Sequence, residues 1–179
     1  CGSNESTEKP SAVSSDTAAK DSSPATTDAA GSRDNTPVVL TGSADGTVTY
    51  GNDSVTVDAS HTEEGYLMVS YSGSNSKVKL QITGSDEITY TYNLHDGYET
   101  FPLTSGSGSY TVGVFENIEG TSYSTLFTQA IDVTIQDEFG PYLYANQYVN
   151  FSADSKVISK AMELSASAND DLEVIENVY

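Results

Sequence analysis

The chain has no tryptophan, one cysteine, two histidines and only seven lysine and arginine residues among 179. Each shortage removes a class of explanation. A single cysteine excludes an intramolecular disulfide, so the fold must depend on its apolar core. The two histidines, His61 and His95, have no cysteine near them and no HExxH spacing, which leaves zinc without a ligand set. Both sit in loop-like contexts and read as solvated loop residues. Cations are scarce against 26 acidic residues, giving a formal net charge of -19. Such a chain is repelled by phosphate backbones and by anionic headgroups, so nucleic acid is not an expected partner. No apolar run approaches the roughly 20 residues needed to span a bilayer as a helix. A cysteine nucleophile needs a base beside its thiolate, and the sole thiol is at position 1 with no such neighbour. No catalytic residue, cofactor site or metal site is legible in this chain, and it is expected not to be an enzyme by itself.

What is plentiful is tyrosine, 12 residues, together with β-branched side chains and closely spaced turn formers, a composition that favours sheet over helix. The organising stretch is Gly106-Ser-Gly-Ser-Tyr-Thr-Val-Gly-Val-Phe-Glu-Asn117. Tyr110, Val112 and Val114 alternate with Thr111 and Gly113, the period of a half-buried strand. A glycine-rich turn, then Tyr110, then an apolar residue two positions on is the pattern of a tyrosine corner in an immunoglobulin-like sandwich.

Strand-like runs of the same kind cover Val38–Leu40, Thr47–Tyr50, Ser54–Ala59, Tyr66–Tyr71, Lys77–Thr83, Glu87–Leu94, Tyr98–Leu103 and Ser122–Ile135. The alternation places Val55, Val57 and Ala59 inward, likewise Val78, Leu80 and Ile82, and Ile88, Tyr90, Tyr92 and Leu94 on one face. Tyr66–Tyr71 is apolar enough to be covered on both sides. Pro102 restricts its run to an edge or a strand end. Seven to eight strands at this spacing, with no helix between them, predict a mainly β, antiparallel, immunoglobulin-like sandwich.

Composition divides the chain. Residues 1–36 are dominated by Ser, Thr, Ala, Asp and Glu, cannot offset the entropy of ordering and read as a disordered tether. Such a tail spans roughly 30–35 Å root-mean-square. Residues 37–136 carry the sandwich. Residues 137–153 form an aromatic connector without a steady period. From residue 154 the spacing becomes helical: Val157, Ile158, Ala161, Met162 and Leu164 fit one helix from Ser155 to about Ala166, capped by Asp154 or Ser152. Asp170 and Glu173 resemble a capping box that opens a second helix, with Leu172, Ile175 and Tyr179 along one face.

Several groups invite a binding role. Asp45, Asp53 and Asp58 gather around the first turns, and Asp96 and Glu99 flank Gly97; a calcium site needs converging oxygens, and none of these follows a known loop spacing, so a solvated acidic surface is the plainer reading. Tyr90, Tyr92 and Tyr110 lie in phase with aliphatic residues and are expected in the core rather than on a glycan-stacking platform. Tyr142, Tyr144 and Tyr148 are expected to pack the connector between sandwich and helices. Asn52-Asp-Ser54 matches a glycosylation sequon.

Two resemblances extend this reading. Cys1-Gly2-Ser3 before a polar tract resembles the mature end of a bacterial lipoprotein, with Cys1 as the lipidated residue. That resemblance implies an extracytoplasmic protein anchored at the cell membrane, the attached acyl chains supplying the hydrocarbon that stable anchoring needs. A sequence cut at Cys1 for other reasons would look the same. The segment Asp137-Glu-Phe-Gly-Pro-Tyr-Leu-Tyr-Ala-Asn-Gln-Tyr-Val-Asn-Phe-Ser-Ala-Asp-Ser-Lys156 resembles the connector of transglutaminase-like surface lipoproteins of Gram-positive bacteria, in which a β-sandwich precedes a papain-like Cys–His–Asp core. The helices of 154–179 then look like the opening of that core, and the family's catalytic residues are expected beyond Tyr179. The resemblance implies a non-catalytic spacer or accessory sandwich, with a downstream catalytic domain as its partner in the same chain. The alternative is a stand-alone surface module, an adhesin or carbohydrate-binding domain with a cell-wall or protein ligand and a possible need for calcium.

Overall fold

A computed structural model describes residues 31–179. The expectations for Cys1 and for the tail before residue 31 lie outside the described residues. Eight strands follow in order: β1 Thr49–Gly51, β2 Val55–Asp58, β3 Tyr66–Tyr71, β4 Val78–Thr83, β5 Thr89–Leu94, β6 Gly97–Pro102, β7 Gly108–Glu119 and β8 Ser122–Val133. Two helices close the described chain, α1 Lys156–Ser165 and α2 Asp171–Val178. The strands make two four-stranded sheets, ordered β1-β2-β3-β6 and β5-β4-β7-β8. Every neighbouring pair is antiparallel. The chain changes sheet after β3, β5 and β6, the crossed connectivity of a Greek-key sandwich.

The core lies between the sheets, where the period of two puts apolar residues. On β4, Val78, Leu80 and Ile82 are buried and the residues between them are only partly so. They meet Tyr110, Val112 and Val114 of β7 in the same sheet, and Val55, Val57, Leu67 and Val69 of the other sheet join the same cluster. Each fully buried aliphatic side chain contributes roughly 1.5–3 kcal/mol relative to exposure.

At the start of β7, Tyr110 is 1% exposed. Its hydroxyl donates to the Gly106 carbonyl at 2.8 Å and accepts from the Ser105 N–H at 2.9 Å. This is the tyrosine corner the spacing predicted, and with the strand order it defines an immunoglobulin-like sandwich.

β3 is covered on both sides. Leu67, Val69 and Tyr71 enter the core, while Tyr66 and Met68 point outward and are still buried. Their cover is the segment before β1. The Ser43 N–H donates to the Tyr66 hydroxyl at 3.2 Å. Gly42 passes so close that a Cβ there would lie 2.9 Å from the Met68 sulfur. That segment is no strand: of Val38–Leu40, only Leu40 makes a single parallel bridge, to Tyr144. Its covering role explains the difference, because it crosses a sheet face rather than extending an edge.

Other expectations are corrected. Ile88 and Tyr90 are 50% and 44% exposed. β5 is an edge strand, and only its second half, Tyr92 and Leu94, is in the core, with Tyr92 packed edge-on against Phe101 of β6 at 5.0 Å. The N-cap of α1 is Ser155, not Asp154 or Ser152, and it makes no side-chain cap bond; its hydroxyl instead accepts from the Ser152 N–H at 2.8 Å. Residues 31–36, placed with the tether by composition, dock on the corner between the helices. Arg33 pairs with Asp171 at 2.8 Å, Asn35 donates to the Ser165 carbonyl at 2.6 Å, and the Gly31 N–H donates to the Ala166 carbonyl at 3.0 Å.

Candidate functional site, a stapled connector and an uncovered helical face

The connector packs first against the turn before β3 and the outer face of that strand, and reaches the edge strands β5 and β6 only at Gln147 and Tyr148. Its path begins where the Gln136 N–H donates to the Glu63 carbonyl at 2.9 Å and the Gln136 amide donates to the Glu63 carboxylate at 2.5 Å. Pro141 then sits on Gly65, which ends the short 3-10 turn Thr62–Glu64. Gly65 has φ 89, and a Cβ there would lie 2.5 Å from Pro141 Cδ, so this position excludes other residues on two counts.

Tyr144 follows. Its ring lies 4.3 Å from that of Tyr66 and its hydroxyl donates to Glu64 at 2.6 Å. Further along, the Gln147 amide donates to Glu99 at 2.7 Å and also reaches the Asn93 carbonyl. Tyr148 approaches Tyr92 at 5.7 Å. Tyr144 therefore fastens the connector to the sandwich rather than to the helices, while Tyr142 and Tyr148 remain 64% and 73% exposed. Burial first, then the neighbouring Tyr148 and Tyr90, pushes the Tyr92 hydroxyl up to about 12.

Beside Tyr144 is a polar cluster that the sequence did not reveal. His61 is no solvated loop residue: its side chain is 19% exposed and its ring stacks on Tyr66 at 5.3 Å. Nε2 is 2.9 Å from Asp45 and 3.1 Å from the Ser43 hydroxyl; Nδ1 is 3.2 Å from Glu64. Burial pushes the imidazole down, but the hydrogen bonds and charges of Glu64 and Asp45 together outweigh it, and its pKa is raised. Glu64 is held below its usual range by the Tyr144 hydroxyl first, then by His61, with burial opposing.

Ser43, His61 and Glu64 thus have the order of a Ser–His–acid triad. The second carboxylate changes the chemistry. An acid on each ring nitrogen favours the imidazolium, and in that form both N–H groups donate and Nε2 has no lone pair to take a proton from Ser43. The arrangement ties the loop at Asp45 to the turn at Glu64 and, through Tyr144, to the connector.

The other candidates are similarly engaged. Asp58 is 2% exposed and accepts from the Gly46 N–H at 2.6 Å and the Ser60 N–H at 2.9 Å. Burial pushes its carboxyl up, but the bonds from Ser60 and Gly46 prevail and its pKa is lowered. Asn52 closes the β1–β2 turn by accepting from the Ser54 and Val55 N–H groups, and its amide donates to the Leu126 carbonyl at 3.0 Å. His95 is exposed and pairs with Glu99 at 3.2 Å. Among the described residues no group of three or more His, Cys, Asp or Glu is placed to hold a metal ion, and none of the acidic loops brings Asp45, Asp53, Asp58, Asp96 and Glu99 to a common point.

The helices differ from everything before them. Asp170 caps α2 by accepting from the Leu172 and Glu173 N–H groups at 2.9 and 3.0 Å, while Glu173 reaches back to the Asn169 N–H at 2.7 Å. The capping pattern is present, one residue longer on its return bond. Ser165 and Ala168 are buried at the corner. Yet Val157, Met162, Leu172, Ile175 and Val178 are each 50–70% exposed, an amphipathic pair whose apolar residues have little cover. Among the described residues no helix is long and apolar enough to cross a membrane.

The fold and these contacts define the class, an immunoglobulin-like sandwich with a stapled connector and a helical hairpin. Comparison of the chain with protein-family models, with curated proteins and with solved structures found no match to any of them.

Proposed function

We propose that this chain is a non-catalytic accessory module: a sandwich that holds a helical hairpin in a set position and presents its apolar face to a further domain. The observation that carries this reading is the contrast between the two halves. Among the described residues no buried polar side-chain atom lacks a partner. The helices, by contrast, leave large apolar side chains in water. Apolar residues at helical spacing lower the free energy only when covered, so such a pair is suited to packing against something else. The resemblance of 137–156 supports a finer version, in which that further domain is transglutaminase-like and the whole is an exported lipoprotein anchored through Cys1.

The test is a distance measurement between spin labels at Ser109→Cys on β7 and Glu163→Cys on α1, in a Cys1→Ser background. A single narrow distribution is expected. A broad one would show that nothing holds the hairpin, and the presenting role would fall. The lipid anchor has its own readout: mass spectrometry of the N-terminal peptide from the producing cell should show an acylated Cys1, and an unmodified cysteine would remove that part.

A second reading, a stand-alone binding module, is favoured by a groove of about 640 Å³ at the tyrosine-corner end of the sandwich. Calorimetry against cell-wall glycans with and without calcium addresses it; no heat in either condition would count against a glycan ligand.

A further inference from the structure

The groove just named lies between the loop after β6, at Thr104–Ser107, and the start of the connector, at Ile135–Phe139. Its volume falls within the ordinary range for ligand sites, roughly 300–1,000 Å³. Its apolar surface comes from Ile135, Phe139 and Pro141. Most of its polar groups already have partners: the Ser107 hydroxyl accepts from the Ile135 N–H at 2.9 Å, one Asp137 oxygen accepts from the Phe139 N–H at 2.9 Å, and the Gln136 amide is held by Glu63. The second Asp137 oxygen and the Glu138 carboxylate have no partner among the described residues. Beside them Phe139 is 63% exposed.

No cation lines this groove. The described lysines and arginines are elsewhere. Arg33 pairs with Asp171, Lys77 and Lys79 lie by a different groove with Gly120 and Tyr123, and Lys156 and Lys160 are on α1. A chain of net charge -19 thus brings to one groove two acidic residues, a largely exposed phenylalanine and an apolar wall. A neutral sugar would leave the carboxylates without counter-charge, and an anion would be repelled. A cation on an apolar stem answers all three surfaces. The stem would cover Ile135 and Pro141, the cation would lie against Phe139, and Asp137 and Glu138 would supply the counter-charge.

We propose that this groove binds a lysine or arginine side chain of a partner peptide. The site is distinct from the helical face and does not depend on the presenting role.

The test is an amide NMR titration in 0.15 M salt as a physiological screening condition, using N-acetyl-lysine methylamide and its uncharged norleucine counterpart. The lysine compound should shift amides of Thr104–Ser107 and Gln136–Phe139 saturably, and the norleucine compound should not. Glu138→Gln and Phe139→Leu should each weaken binding by about two- to fivefold. Asp132→Asn, which removes a charge from β8 outside the groove, should leave the affinity unchanged. The inference is overturned if norleucine shifts the same amides equally, if the shifts spread over the whole acidic surface, if Glu138→Gln has no effect, or if nothing shifts.

Discussion

Tyr144→Phe removes one hydroxyl and keeps the ring that packs on Tyr66, so it isolates the polar half of the staple. The lost bond is 2.6 Å long and ends on a carboxylate. Sheltered hydrogen bonds to charged groups contribute roughly 1.5–3 kcal/mol. The Glu64 side chain is 49% exposed, so water replaces much of what the phenol supplied. A net loss of about 1 kcal/mol is the reasonable expectation. That corresponds to about a fivefold rise in the local opening constant of the connector. Hydrogen exchange reads it at the Ala145 amide, which donates to the Leu40 carbonyl at 3.4 Å, and at the Leu143 amide, which donates to Gly140 at 3.1 Å. The same substitution should move the Glu64 titration upward, because the Tyr144 hydroxyl is the largest influence lowering it. Glu64→Gln combined with Tyr144→Phe should cost less than the sum of the two. Unchanged exchange at both amides, with a Glu64 titration that does not move, would refute the docking of the connector and the reasoning built on it.

Tyr110→Phe removes the donor to Gly106 and the acceptor for Ser105, and should lower stability by about 1–3 kcal/mol, seen as a lower urea midpoint at an unchanged slope; an unmoved midpoint would mean the corner does not contribute. Gly65→Ala meets both φ 89 and Pro141, and should cost about 1–2 kcal/mol from the backbone before any displacement of the proline; a stability equal to the parent would contradict the close approach. The pH dependence has a defined direction. The folded pKa of His61 is raised above its ordinary 6.5, so its contribution is complete below about pH 6.5 and is lost as pH rises through the folded value. Glu64 is lowered from 4.5, so its contribution is present above that value and is lost as pH falls through the folded one. Stability should peak between the two windows, and His61→Gln should flatten the loss on the alkaline side; an identical profile in the variant would show that His61 is not coupled to folding.

Much of the sandwich was legible because its strands alternate. Val78, Leu80 and Ile82 could be placed inward from spacing alone, and the tyrosine corner from Gly106, Gly108 and Tyr110. Errors fell where burial depends on what lies opposite. Tyr90 and Tyr92 have the same phase, but an edge strand covers only one of them. Val38–Leu40 has the residues of a strand but makes only one bridge, from Leu40 to Tyr144, while Gly42 and Ser43 just after it cover Met68 and Tyr66. The cluster at His61 was hidden for a different reason. Ser43, Asp45, His61, Glu64 and Tyr144 are spread over about a hundred residues, and nothing in their local spacing signals that they meet. The one available hint was the apolar run at Tyr66–Tyr71, which requires cover on its outer face.

The amino-acid order alone determined the class of fold, the inward faces of most strands, the turn at Tyr110 and the cap at Asp170, because each depends on neighbours within a few residues. Tertiary structure alone decided which part of the sandwich the connector packs against, which histidine is enclosed by carboxylates and which helical residues stay uncovered. Those outcomes depend on contacts between segments distant in sequence, and local periodicity carries no information about distant partners.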